Sequence, residues 1–315
     1  MRKEKTVHEP LFHIVKRDRI PFWKAMAIRV IAVLCAFLIC SLFAWIFANV
    51  SPAKLISTMI DGTFGTERRM WQMGKELALL LGVALALTPA FLMRFWNIGG
   101  EGQVLVGSLA SIACVVTYGG KIPEPLLLLM MLAASLAAGA VWGFIPSFFK
   151  ALWNSNETLF TLMMNYIAIQ LTAFMIAIWE PKDNTLGELN FGHLNLFPFI
   201  DNYGDELTLI VIVLAIAIAM YVYLRYGKHG YEISVVGESE NTARYIGINV
   251  KKVTMRTLIL SGLLCGLVGF LIVSVFDHSV TVDTAGGRGF TAILVSWLGK
   301  FNPIYMILTS FLVVF

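Results

Sequence analysis

One carboxylate, Glu101, stands in a run of glycines: Phe95-Trp96-Asn97-Ile98-Gly99-Gly100-Glu101-Gly102-Gln103-Val104. The run separates two strongly apolar stretches, residues 77–93 and 104–118. From Leu77 to Gly120 the only charged side chains are Arg94 and Glu101. Glycine lets the backbone leave helical geometry. An ionisable group at membrane depth is costly and faces a cavity or a partner. Two roles are open to Glu101. It can line a pathway for a polar solute or tie the break to a neighbouring segment. Alternatively, it can cap the helix that starts near Gln103, since a helix N-terminus stabilises a carboxylate by about 0.3–1 kcal/mol. Asn97 and Gln103 share that choice.

A second polar set follows Asn154-Ser155-Asn156. Glu157, Thr161 and Asn165 recur every fourth residue and so share one helix face. Asn156 or Ser155 suits the cap of that helix. The stripe can hydrogen-bond a polar solute or join two helices. A third set lies in 225–256, where Ser239 suits the cap of a short helix starting near Glu240 and Gly247 suits its end. Such a capped helix between apolar spans suits docking of a soluble partner. Arg288 sits among Gly286, Gly287 and Gly289. The stretches Gly99-Gly100-Glu101-Gly102 and Gly286-Gly287-Arg288-Gly289 echo each other and admit an inverted repeat, the first toward the inner side and the second toward the outer.

The elements that must position these residues are membrane helices. The chain of 315 residues is 58% hydrophobic and 14% charged, against about 25% charged in soluble domains. Apolar runs long enough to span a bilayer fall at about 27–50, 75–94, 103–118, 125–147, 158–180, 207–224 and 257–276. Shorter pieces cover 290–299 and 303–315, and Phe315 ends the last in mid-span, so further C-terminal helices are expected. The fold class is an all-α polytopic bundle with broken helices. Residues 1–26 form a cytoplasmic segment and residues 27–315 the membrane domain.

Charge orients the bundle. Arg2, Lys3, Lys5, Lys16, Arg17, Arg19 and Lys24 place the N-terminus inside. The loop 181–206, with Asp183, Glu188, Asp201, Asp205 and Glu206 against Lys182, faces out. The loop 225–256 faces in. The stretch 51–74 reads as an outer loop. Gly139-xxx-Gly143 and Gly262-xxx-Gly266 permit close helix approach. The net charge of +4 is concentrated inside, which argues orientation and not nucleic-acid binding. Cys35, Cys40, Cys114 and Cys265 lie in apolar spans without metal-like spacing. There is no GxxxxGK[ST] loop, no HExxH, and no nucleophile set. Neither catalysis nor a cofactor or metal is expected of this chain.

These motifs together resemble a family. Phe95 through Gln103 is similar to the F-N-I-G-x-E-G-Q signature of the permease subunits of bacterial importers for nucleosides and simple sugars, relatives of the ribose and branched-chain amino-acid permeases. Trp96 is an extra residue there, or replaces the Phe after a shift of one. Asn156-Glu157 with Met164-Asn165-Tyr166 resembles the family's N-E-x-x-x-x-x-M-L-N-Y segment. Val236-Gly237 through Ile248 resembles its coupling segment, and Gly287-Arg288-Gly289-Phe290-Thr291 and Gly299-x-x-Asn302-Pro303 its late elements. The resemblance covers about residues 77–315.

It implies a multi-pass protein of the bacterial plasma (inner) membrane. The partners implied are a cytoplasmic ATP-binding-cassette ATPase, a second permease subunit and an extracytoplasmic solute-binding protein. It implies a pathway past Asn97, Glu101, Gln103, Glu157, Thr161, Asn165 and Arg288, and ATPase coupling through Gly237, Glu240, Ala243, Arg244, Tyr245 and Gly247. The alternative is an ion-coupled secondary transporter, which broken helices and a buried Glu101 also suit.

Overall fold

The structure, a computed structural model, describes residues 21–179, 190–200 and 203–315. Those residues form twelve α-helices and one π-helical turn, with no strand among them. The basic residues from Arg2 to Arg19, and Lys182, Asp183, Glu188 and Asp201, lie outside the described residues. The chain divides into two units, one up to Gly62 and one from Thr63 to Phe315.

The first unit holds α1 (Phe22–Ala48) and nearly all of α2 (Pro52–Phe64). α1 is apolar on every side, which suits a helix surrounded by lipid. It ends at Asn49, whose backbone is left-handed at φ 53°. The sequence reading gave 51–74 as a loop, whereas α2 and the start of α3 are helical there. The reason is local. Pro52 opens α2 with its φ already helical, and Thr66 caps the next helix by accepting from the Arg69 N–H at 3.4 Å. Neither signal depends on hydropathy.

The second unit contains α3 (Glu67–Leu92), α4 (Gly100–Tyr118), α5 (Glu124–Trp153), α6 (Glu157–Trp179) and α7 (Gly204–Tyr226). Two short helices follow, α8 (Lys228–Glu238) and α9 (Glu240–Tyr245). α10 (Val250–Leu271) continues through π-helical Ile272–Asp277, and α11 (Arg288–Leu298) and α12 (Pro303–Val314) close the unit. Among the described residues seven helices are long and apolar enough to cross a bilayer: α1, α3 to α7, and α10 with its π turn. These are the seven runs read from the sequence. We call inner the end that carries α8 and α9, with Lys228, Arg244, Lys251 and Lys252.

α3 is the axis of this unit. Every residue from Ala78 to Phe91 is buried, because α4, α7, α10, α11 and α12 all pack on it. The helix runs through Pro89 and ends at Leu92. α5 and α10 meet along the two glycine pairs. A Cβ at Gly262 would collide with the Gly139 carbonyl, and one at Gly266 with the Ser135 carbonyl. The Ser135 hydroxyl donates to the Gly266 carbonyl at 2.6 Å across this seam. Without side chains between them the backbones lie in direct contact, the kind of association that dispersion and polar contacts drive in lipid.

A larger residue in the seam must separate the helices. Gly262→Leu is expected to lower stability by about 1–3 kcal/mol, the usual cost of overpacking. Gly62→Ala, in α2, where a Cβ meets nothing within 4 Å, should not lower it. Thermal denaturation of the detergent-solubilised protein checks both.

Candidate functional site

The chain leaves α3 at Leu92 and enters α4 at Gly100, and the turn between them is wrapped by polar side chains. Asn97 is fully buried. Its amide donates to Ser261 Oγ on α10 at 3.2 Å, and its Oδ1 accepts from the Gly99 N–H at 3.0 Å and from Gln103 Nε2 at 3.4 Å. The stripe on α6 closes the other side. Thr161 Oγ1 accepts from the Ile98 N–H at 3.2 Å. Asn165 Oδ1 accepts from the Gly102 N–H at 2.9 Å, and its Nδ2 donates to the Ile98 carbonyl at 2.9 Å. Asn165 therefore caps α4 from a different helix. This is how the exposed N–H groups of a helix start are satisfied when the chain before it is glycine. Glu157 does not join them and pairs with Lys150 at 2.8 Å. Asn156 caps α6, accepting from the Leu159 N–H at 3.2 Å. Within this network one buried atom, Gln103 Oε1, has no hydrogen-bond partner among the described residues.

Glu101 lies on the first turn of α4 but does not cap it. Its two oxygens accept from the Gly287 and Gly289 N–H groups, each at 2.7 Å, at the start of α11. The two glycine turns, expected on opposite sides, thus meet head to head. The reason is electrostatic. Each helix start carries a partial positive charge and unpaired N–H groups, so two facing starts repel unless an anion lies between them. Burying a carboxylate costs several kcal/mol. Two charge-assisted hydrogen bonds, at about 1.5–3 kcal/mol each, and two helix dipoles offset that cost. Residue 289 must be glycine for this approach, because a Cβ there would collide with the Glu101 backbone.

Arg288 is the first residue of α11, where a cation opposes the dipole. Its Nε and Nη2 donate to Glu76 Oε2 on α3 at 3.1 and 2.7 Å. Lys75, buried at 4% exposure, lies 4.0 Å from Glu76 and from Asp277 and over the Phe276 ring. The sequence reading missed this four-charge cluster. Its signal was present in an arginine among glycines, which needs a carboxylate partner within reach. Farther out, His193 Nδ1 and His278 Nε2 are 3.1 Å apart. Among the described residues no group of three or more His, Cys, Asp or Glu could hold a metal ion.

The inner hairpin forms as its caps dictate. Ser239 Oγ accepts from the Thr242 N–H at 3.3 Å, and Gly247 ends the helix with φ 86°. Ala243 is the buried residue of α9, and Glu240 and Arg244 pair on the helix surface at 3.2 Å. Tyr245 is 92% exposed at its tip. Gly237, at the end of α8, presses on the Leu92 carbonyl of α3, where a Cβ would not fit. The hairpin is thus in direct contact with the end of α3, the helix that leads into the turn holding Asn97.

Comparison with known proteins gives the family of the chain. The family described as branched-chain amino acid transport system / permease component matches residues 76–315. The guanosine ABC transporter permease protein NupP of Bacillus subtilis (strain 168) is 29% identical over 266 residues, covering 82% of this chain and 76% of that protein. The glucose ABC transporter permease protein TsgB13 of Haloferax volcanii is 26% identical, covering 93% and 80%. The nucleoside ABC transporter permease protein NupB of Lactococcus lactis subsp. cremoris is 25% identical, covering 92% and 82%. No solved structure matches the chain.

The polar wrapping of the turn is testable by itself. Asn165→Leu leaves the Gly102 N–H and the Ile98 carbonyl buried without partners, and each such group costs about 1–3 kcal/mol. The variant is expected to insert but to denature at lower temperature, whereas Tyr166→Phe, on the exposed face of the same helix, is not.

Proposed function

The chain belongs to the branched-chain amino acid transport system / permease component family and is a multi-pass permease of an ATP-binding-cassette importer; from that premise we propose how it works and what it carries. The solute is a small polar molecule, a nucleoside or a simple sugar. The names of the relatives support that class, and so does the scarcity of ionisable groups in the spans. The protein works in a bacterial plasma membrane with an ATPase, a second permease subunit and an extracytoplasmic solute-binding protein. The observation that carries the reading is α9: a short, capped helix between two spans, seated through the buried Ala243, with Tyr245 exposed for a partner.

In this mechanism the ATPase grips Glu240, Arg244, Tyr245 and the Gly247 turn. Its motion passes through Gly237 to the end of α3 and so to the turn wrapped by Asn97, Thr161 and Asn165. These side chains, with Gln103, Glu101 and Arg288, border the pathway by holding the broken helices in place, and Glu157 borders it from the start of α6, paired with Lys150. Five of the seven are buried, and Asn97, Thr161, Asn165 and Glu101 already hold backbone groups of the broken turn, of α4 or of α11, which supports a positioning role over direct solute contact. A nucleotide or solute shifts such a device only by binding its states unequally. Gln103 Oε1 is suited to gain a donor in another state, since leaving it unmet costs about 1–3 kcal/mol. Ion coupling through Glu101 has less support, because both of its oxygens are occupied by backbone N–H groups. Residues 1–26 serve as a cytoplasmic segment preceding a membrane domain from residue 27.

Reconstitution in sealed vesicles tests the reading. Solute uptake should require the ATPase and ATP. Gly247→Pro cannot adopt the φ of 86°. It should uncouple ATP hydrolysis from uptake, cutting uptake at least tenfold while membrane insertion is unchanged. Uptake driven by a proton or sodium gradient without the ATPase would overturn it, and competition by nucleosides, ribose and amino acids identifies the solute.

A further inference from the structure

A cavity of about 360 Å³ opens at the inner end, walled by the turn after α3, the end of α5 and the starts of α6, α9 and α10. Four cations face it, Arg94, Lys150, Arg244 and Lys251, against two carboxylates, Glu157 and Glu240. Lys150 is neutralised by Glu157 at 2.8 Å and Arg244 by Glu240 at 3.2 Å. Arg94 and Lys251 have no ion pair among the described residues. Arg94 is also left-handed, at φ 59°. Its N–H bonds to the Phe91 carbonyl and that of Phe95 to the Ala90 carbonyl, closing α3 in a geometry for which glycine is the favoured residue. An arginine there is conformationally disfavoured, and it supplies a charge that glycine cannot.

Beside the cavity, on the other side of the 154–157 turn, an apolar groove of about 410 Å³ runs along three turns of α6 past Leu159, Phe160, Met163 and Ile167. Ser155 lines it and has a buried hydroxyl with no partner among the described residues. A cavity with two unneutralised cations next to an apolar groove matches a molecule with an anionic head and a hydrocarbon tail. Basic pockets between membrane helices on the cytoplasmic side hold anionic lipid headgroups. We propose that this is a site for an anionic phospholipid, its phosphate between Arg94 and Lys251 and an acyl chain in the α6 groove. An acidic peptide or free phosphate would use the cavity and leave the groove unexplained. The site joins α9 to the ends of α3 and α5, so an occupied site would stiffen the path from the ATPase to the broken turn. The proposal does not depend on which solute is carried.

The test is lipid binding by the full chain, read by native mass spectrometry after titration with phosphatidylglycerol, phosphatidylcholine or glycerol phosphate. The wild type should retain phosphatidylglycerol over phosphatidylcholine. The Arg94→Gln/Lys251→Gln variant should lose that preference by about tenfold or more, as removal of charged hydrogen-bond partners implies. Lys121→Gln, at the opposite end, should not. Equal retention of the two lipids by the wild type overturns the proposal without any variant. Unchanged phosphatidylglycerol binding by a folded double variant also overturns it. So does glycerol phosphate binding as tightly as the intact lipid, which would make the cavity a soluble-anion site. Loss of ATPase association in the double variant with lipid binding intact would make it a protein contact, and again overturn it.

Discussion

Two helix starts face each other inside this protein, and one carboxylate lies between them. Without Glu101, the amino ends of α4 and α11 would present like partial charges and unpaired N–H groups to one another in a low-dielectric interior. With it, each oxygen of one side chain meets one backbone N–H of the facing turn at 2.7 Å. The rest of the region follows from keeping that arrangement closed. Glycine at 289 allows the approach. Asn165 accepts from the Gly102 N–H on the first turn of α4, and Asn97 from the Gly99 N–H just before it. Arg288, placed against the dipole by the chain, is held by Glu76 on α3.

Much of this was legible in the sequence. All seven spans, the cap at Ser239, the cap of α6 as Asn156 or Ser155, and the end of α9 at Gly247 follow from hydropathy and capping chemistry, which are local; the fold chooses Asn156. The facing glycine pairs of α5 and α10 were also visible as spacings. The partners were not. Glu101 reads equally well as a cap for its own helix, because a carboxylate near a helix start looks the same whichever start it serves. Only the fold brings residue 287 to residue 101. The stripe Glu157, Thr161, Asn165 was correctly read as one face, but its members divide: Thr161 and Asn165 grip the broken turn, and Glu157 turns to Lys150. α2 and α8 were missed because their starts are set by Pro52 and by the Gly227 turn, while their composition is that of a loop.

The arrangement fits the proposed drive from an ATPase at the inner side. The inner hairpin is small, capped and seated on the end of α3 by Gly237 and Ala243. The turn it leads to is held by many weak hydrogen bonds and one strong charged contact. Such a network has few intermediate geometries, since a half-open carboxylate would leave buried N–H groups unmet. Under the proposed coupling, work delivered at α9 would therefore favour movement of whole helices over gradual distortion. The glycine seam between α5 and α10, by contrast, joins two backbones directly and is suited to remain rigid.

The most direct test follows amide hydrogen exchange across residues 284–292 in the wild type and in Glu101→Gln. The account predicts faster exchange at the start of α11 in the variant, with the α5–α10 seam unaffected. Exchange there that is the same in the two proteins would contradict it, because the start of α11 would then be held by something other than the carboxylate of Glu101.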